Sequence, residues 1–391
     1  LAPEAKSHTL TRSRIISATM NRRLEIPKPK QSLQLVKREI PQTPARGAVV
    51  KLHYSGICHT DLHMLEDDLD MGGGKSMSLS SNITFPMVLG HEMAGEIFAF
   101  GSEVNSAALG LSVGDLVMVY PWGGCGQCKY CREKRFICCE KTDDYQLGFS
   151  VPGGYQDFVA VPEVDYLVRA PDGVPLDVAS LLPCSGITAY NAITQVLPSV
   201  QNYLSVHGKA QLLIVGAGGL GLWGIQIAKQ LVPEGTQIIV AEAVESKFAD
   251  AQKAGADRTC LWPINGSVDE NIAVVSELAP DGVAGAVDFV GAPKTSSSIF
   301  GCLGMMTTMV TVGMFGGDMC LSIPNLVFRQ NIVRGIIAGD VEHLRQMAQL
   351  VANKKVHPPP ITYVKLEETE RVLEELKAGT SRGRNVIKFV Q

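Results

Sequence analysis

Residues 211–242 read QLLIVGAGGLGLWGIQIAKQLVPEGTQIIVAE. Gln211–Val215 is a short apolar run of the kind that makes a buried strand. Gly216-Ala217-Gly218-Gly219-Leu220-Gly221 follows as a glycine turn, and Leu222–Leu231 as an apolar helix. Gln237–Ala241 is the next strand, and Glu242 stands at its end. A G-x-G-x-x-G run alone is weak. Between a strand and a helix, with an acid closing the next strand, it is the fingerprint of a dinucleotide site. Gly216, Gly218, Gly219 and Gly221 let the backbone approach a pyrophosphate, which then rests on the helix N-terminus. Glu242 lies 26 positions after Gly216, somewhat beyond the usual spacing of ~20. Pro233–Gly235 reads as the extra turn that absorbs the difference. A carboxylate there accepts hydrogen bonds from the adenosine ribose hydroxyls and repels a 2′-phosphate. Ala243, Val244, Glu245 and Ser246 offer no cation, so NAD is favoured over NADP.

Working outward, the same alternation continues. A helix is expected around Ser246–Ala254, and strands at Ala286–Val290 and Met309–Val312. Strands alternating with helices imply a doubly wound parallel sheet. Upstream of Cys184 the texture differs. Ser32–Ile57 (around a Pro41–Gly47 turn), Met93–Phe100, Asp115–Tyr120 and Asp157–Val161 read as strands separated by Gly and Pro, an irregular β-rich unit. The last stretch predicts helices at Val341–Asn353 and Leu366–Ala378 and a strand at Asn385–Val390. Met71–Ser81, rich in Gly, Ser and Met, reads as a loop.

A chain of 391 residues exceeds one core and implies two domains. Apolar residues at 46% exclude global disorder, and a net charge of −4 argues against a nucleic-acid partner. No apolar run reaches the ~18–20 residues of a bilayer span, so no membrane partner is expected. Residues 1–24 carry Arg12, Arg14, Arg22 and Arg23 among Ser and Thr. That composition resembles a weak mitochondrial transit peptide. The favoured reading is a tail over residues 1–30 of a cytoplasmic protein.

Ten cysteines are too dilute for a disulfide scaffold, and five crowd into one stretch. Cys125-x2-Cys128-x2-Cys131-x7-Cys139 supplies the four thiolates of a structural zinc site, with Cys138 as an alternative fourth ligand. A second set is dispersed: Cys58, His91 and Cys184. Two cysteines and one histidine, with one position left open, is a catalytic zinc set. Spacing alone does not bring these three together.

Cys58-His59-Thr60-Asp61, Gly90-His91-Glu92, the four-cysteine loop and the glycine turn stand in one order along the chain. From about Gln31 to the C-terminus the sequence resembles the zinc-dependent medium-chain alcohol dehydrogenases. The resemblance implies an α/β protein: a GroES-like β-rich catalytic domain (1–186 and 338–391) with a Rossmann doubly wound parallel-sheet domain (187–337) inserted. It implies two zincs per chain, NAD, and a small alcohol or aldehyde substrate. It implies that Cys58, His91 and Cys184 bind the catalytic zinc, with Glu92 behind the metal and coordinating it transiently. Asp61 would fix the tautomer of His91. Thr60 would take the alcohol proton and pass it, through the ribose, to a solvent-facing His63. Lys247 would reach the ribose, against a solvated helix lysine. Arg384 would meet the pyrophosphate, ahead of Arg382. Trp122 would be a substrate-pocket wall, or a core aromatic.

Two features depart from the familiar pattern. Cys58 and His91 are 33 positions apart, with a surplus at Glu66–Ser81. The stretch from Cys139 to Cys184 is short, which looks like the tetrameric branch, so a homo-oligomer is expected, tetramer over dimer. A sorbitol-type polyol dehydrogenase is the nearest rival, and Cys184 counts against it. A non-catalytic binding relative is the other.

Overall fold

The computed structural model describes residues 20–81 and 83–389. Residues 210–335 build a six-stranded sheet in the order Arg258–Leu261, Thr236–Glu242, Ala210–Val215, Val283–Asp288, Leu303–Thr311, Ile332–Gly335. Every pairing is parallel. Its inner strands are apolar because helices cover both faces; Val283–Asp288 is buried at every position. Strand order reverses between Ala210–Val215 and Val283–Asp288, which opens the crevice where such sheets take ligands.

A second, mostly antiparallel sheet runs Ile361–Val364, Arg384–Lys388, Ala48–Ile57, Glu92–Phe100, Leu116–Val119, Leu167–Arg169, with Phe158–Val161 also on Ala48–Ile57. Residues from both ends of the sequence therefore meet in one layer: Asn385–Lys388 pairs with Tyr54–Ile57.

The helical run Leu176–His207 joins the two sheets. Leu176–Leu181 packs on strands Ala48–Ile57 and Glu92–Phe100, and Ile187–His207 packs on Val283–Asp288 and Leu303–Thr311. The expected boundary at 186/187 falls inside this run. The 21-residue helix was not legible beforehand, because Asn191, Thr194, Gln195 and Pro198 break its apolar texture. Its buried positions 189, 192, 193, 196, 200 and 203 nevertheless keep helical spacing.

One expectation needs correction. The tail does not extend to residue 30. Asn21–Glu25 is a strand paired with Gln34–Arg38, and the Asn21 amide bonds Gln156 and the backbone of Phe158. Arg22 forms a bidentate pair with Asp157, and Arg23 pairs with Glu25. Half of the arginines that suggested a targeting segment are thus part of the fold; Arg12 and Arg14 lie outside the described residues. The strand-like stretch Ser32–Ile57 divides between two sheets. Its first strand, Gln34–Arg38, belongs to the two-stranded ribbon and only Ala48–Ile57 to the large sheet.

The surplus segment folds as a small hairpin, Leu69–Asp70 against Ser76–Met77. Gly72, Gly73 and Gly74 all have positive φ at its tip, a turn that only glycine makes without strain. The hairpin reaches across to the parallel-sheet unit. Gly73 N–H donates to Asp318 at 2.6 Å, and Gly317 N–H donates to the Asp70 carbonyl at 3.1 Å. Asp318→Ala should release the tip, so that trypsin cuts after the exposed Lys75 several-fold faster while the melting temperature barely moves. Unchanged cleavage would show that Asp318 does not hold the hairpin.

Candidate active site

Strand Ala48–Ile57 ends where Cys58 takes an extended conformation and caps helix His59–Glu66. Asp61, in the first turn of that helix, accepts from the Cys58 N–H at 2.9 Å. Its other oxygen accepts from the Gly90 N–H at 3.1 Å and faces Nδ1 of His91 at 3.1 Å. Gly90 has φ +92, and a Cβ there would stand 2.5 Å from the Tyr155 ring. The glycine therefore lets the chain bend so that His91 follows directly. With Nδ1 turned to Asp61, Nε2 is left free for a second partner, and it stands 3.2 Å from Cys184 Sγ.

Cys184 sits in Leu182–Gly186, a single wide π turn within the helical run. Such turns are rare and concentrate at functional sites. The donor atoms of Cys58, His91 and Cys184 lie within 4.8 Å of one another, all buried. The Cys58 thiol is held well below the usual range by its hydrogen bond with Cys184 and by His91. Burial pushes the His91 pKa down, but Asp61 and Cys58 together outweigh it and the net shift is upward. Two sulfurs and one imidazole nitrogen, with no fourth ligand joining them among the described residues, fit an open zinc site.

Glu92 is completely buried. It accepts from Ser185 N–H at 3.2 Å and pairs with Arg384. Burial raises its pKa to about 7 although Arg384 opposes the shift. Thr60 Oγ1 lies 3.7 Å from Cys58 Sγ. Thr60 and His63 are three apart on one helix and so share a face. His63 is half-buried rather than fully turned to solvent. Burial lowers its pKa, and His59 adds to the effect.

Cys125, Cys128, Cys131 and Cys139 form the second donor group. Cys138 is exposed and outside it. Backbone N–H groups of Cys125 and Lys141 point at Cys139 Sγ, each at 3.2 Å, and that of Cys128 at Cys125 Sγ at 3.3 Å. Donors aimed at sulfur stabilise thiolates, the form that binds metal. The thiol of Cys128 is lowered to about 6 by N–H groups of Glu140 and Cys131.

In the glycine turn each residue has its own constraint. Gly216 has φ +94; a Cβ on Gly221 would stand 1.9 Å from the Gly216 carbonyl, so the helix could not close on the turn. A Cβ on Gly218 would meet nothing within 4 Å, so the space beside this part of the turn is open. Arg384 packs its Cδ 2.6 Å from the Cβ position of Gly219. Its terminal nitrogen binds Glu92 and the Ile57 carbonyl, while the buried Nε has no partner. One arginine therefore lies against the turn and also bonds Ile57 and Glu92, the chain neighbours of Cys58 and His91. Arg382 instead forms a bidentate pair with Asp250. Glu242 accepts from the N–H groups of Ala217, Ala243 and Val244. A carboxylate has about four lone-pair sites, so one stays open for a hydroxyl. Lys247 Nζ lies 4.0 Å from it.

Trp122 lies edge-on to His91, with ring centroids 5.7 Å apart. Phe149, which sequence reasoning missed, lies 4.8 Å from both rings. It is half-buried and packs against both rings beside His91. Nothing local distinguished it from the nearby Tyr145. His59 was also passed over, though it is exposed at the start of the helix carrying Thr60.

Residues 44–172 match the family model described as alcohol dehydrogenase GroES-like domain, and residues 219–353 the one described as zinc-binding dehydrogenase. The chain is 31% identical over 363 residues to the NAD-dependent alcohol dehydrogenase of Sulfolobus acidocaldarius, covering 92% of this chain and 96% of that protein. The chain belongs to the zinc-dependent alcohol dehydrogenase family. The Saccharolobus solfataricus protein of the same description is 31% identical, covering 94% and 98%. Among solved structures, the alcohol dehydrogenase from Aeropyrum pernix superposes with a TM-score of 0.80 at 26% identity, over 94% of this chain and all of that one. The D-arabinose dehydrogenase from Sulfolobus solfataricus shares the fold, with a TM-score of 0.76 at 23% identity, over 95% of this chain and 100% of that one.

In this family member Asp61 is the residue on which the orientation of His91 rests. Asp61→Asn keeps the shape but loses the charge. Zinc affinity at the three-residue site should fall roughly 10–100-fold, measured by competition with a chelator. Unchanged affinity would mean that packing alone orients the imidazole.

Proposed function

We propose that the protein is an NAD-dependent alcohol dehydrogenase with a catalytic zinc at Cys58, His91 and Cys184 and a structural zinc at Cys125, Cys128, Cys131 and Cys139. The observation that carries this reading is the buried two-sulfur, one-nitrogen cluster, joined through the neighbouring Glu92 and its partner Arg384 to the glycine turn. Zinc would supply a Lewis acid that brings an alcohol hydroxyl toward neutral pKa, and NAD the hydride acceptor. The chain's own residues do the rest. Trp122 and Phe149 orient the carbon skeleton and exclude water beside His91. Thr60 Oγ1 would take up the hydroxyl proton as it gives up its own, and His63, one turn further along the same helix, would be the base that finally holds the released proton. Arg384, with its free Nε, and the glycine turn hold the pyrophosphate. Glu242 and Lys247 hold the adenosine ribose.

A panel of primary, secondary, aromatic and polyol alcohols, followed by NADH absorbance, tests the activity. Turnover of polyols alone would favour the sorbitol-type reading, and none at all a binding protein. NADP should be the poorer cofactor, and Glu242→Ala should narrow the gap. Equal or better kcat/KM with NADP contradicts the role given to Glu242.

The depressed pKa of His63 sets a pH signature. A histidine with a lowered pKa stays neutral, and so a working base, below the ordinary value of about 6.5. Alcohol oxidation by the wild type should therefore hold up as pH falls toward that value. His63→Ala should lose rate earlier and be partly rescued by buffer bases. Coincident pH profiles would remove His63 from the proton path.

We also propose a second copy of the chain as partner, within a tetramer. Strand Ile332–Gly335 is an edge with every residue exposed, and beside it Ile323, Val327 and Phe328 are 71%, 62% and 76% exposed. An open apolar edge offers unpaired backbone groups to an identical strand. Phe328→Glu with Ile332→Lys should reduce the mass seen by light scattering; an unchanged mass places the contact elsewhere.

A further inference from the structure

Trp122 makes two contacts that a pocket wall does not require. Its Nε1–H donates to the Pro183 carbonyl at 3.0 Å. Its ring edge meets the His91 imidazole. Pro183 immediately precedes Cys184, inside the wide turn Leu182–Gly186. Regular α-helix lies on both sides, Leu176–Leu181 and Ile187–His207. A slip of this turn by one residue toward α-helical register would swing Cys184 about 100° around the helix axis. That would take its sulfur off the cluster. Something must hold the turn in its wide form.

Trp122 is placed to do so. It is only 5% exposed, and its own segment is fixed by pairing with Gln146. A buried indole N–H needs an acceptor, and here the acceptor is the peptide that carries Cys184. Phe149 shares the ring contacts with His91 but has no donor.

We propose that Trp122 is a positioning residue for the metal-ligand set. Its N–H fixes the turn bearing Cys184 while its ring fixes the imidazole of His91, so one side chain holds two of the three donors. This rests on the reading of Cys58, His91 and Cys184 as a zinc site.

Two substitutions separate bracing from lining. Trp122→Phe keeps an aromatic wall and deletes the donor. Phe149→Leu alters the wall and leaves the bond intact. Zinc release from the holoprotein into excess chelator, read with a metal-sensitive dye, should show two phases. In Trp122→Phe the phase from the three-residue site should speed up roughly 2- to 10-fold, the range set by loss of one hydrogen bond. The phase from the four-cysteine loop should not change. kcat should fall with little change in KM. Phe149→Leu should shift KM across substrates and leave both release phases as in the wild type. Circular dichroism matching the wild type checks that each variant folds.

Release from Trp122→Phe at the wild-type rate, with only KM altered, overturns the brace and leaves the zinc reading standing. A wild-type protein that releases zinc only from the four-cysteine loop overturns the zinc reading, and the brace with it.

Discussion

The site depends on the carboxylate of Asp61. It is fully buried, and a buried charge persists only when paired and hydrogen-bonded. Its partners come from three places: the N–H of Cys58 at a helix start, the N–H of Gly90 in a tight bend, and the ring of His91. Satisfying one group thus fixes where a strand ends, where a helix begins and which way an imidazole faces. The positive φ of Gly90 and the free Nε2 of His91 follow from that requirement. Cys184 then needs its own wide turn to arrive at the same point.

A second buried pair joins this cluster to the glycine turn. Glu92 and Arg384 are 0% and 5% exposed. Removing Glu92 would strand the arginine's charge in a dry interior, a cost of about 3–5 kcal/mol. The arginine comes from the end of the sequence and the glutamate from its first quarter. Pairing of the Arg384–Lys388 strand with Ala48–Ile57 is what brings them together. The stem of Arg384 lies against Gly219, so the arrangement of the β-rich sheet also sets the shape of the dinucleotide turn.

The glycine turn and the four-cysteine loop were legible in the sequence because their physics is local. A tight turn needs glycine at set offsets, and a metal loop needs thiols within a few residues. The parallel sheet was legible for the same reason, through short apolar runs between helices. Cys58, His91 and Cys184 could be named one by one, but their meeting depends on long-range strand pairing. Asn21–Glu25 was missed because its anchor, the Asn21 amide, finds its partners some 135 positions away. Helix Ile187–His207 was missed because its polar residues interrupt an otherwise regular stripe. Phe149 was missed because only the fold turns it toward His91. The backbone donors now on Glu242 were also invisible, since they arise from how the turn closes.

The proposed chemistry turns on a metal held by Cys58, His91 and Cys184. Zinc-edge X-ray absorption of the purified protein, beside its Cys184→Ala variant, addresses that claim most directly. The wild type should show a mixed shell: the all-sulfur signature of the cysteine loop plus sulfur with nitrogen and a lighter open-site ligand. The variant should retain only the all-sulfur component, with less zinc per chain. Identical all-sulfur spectra from both proteins would contradict it.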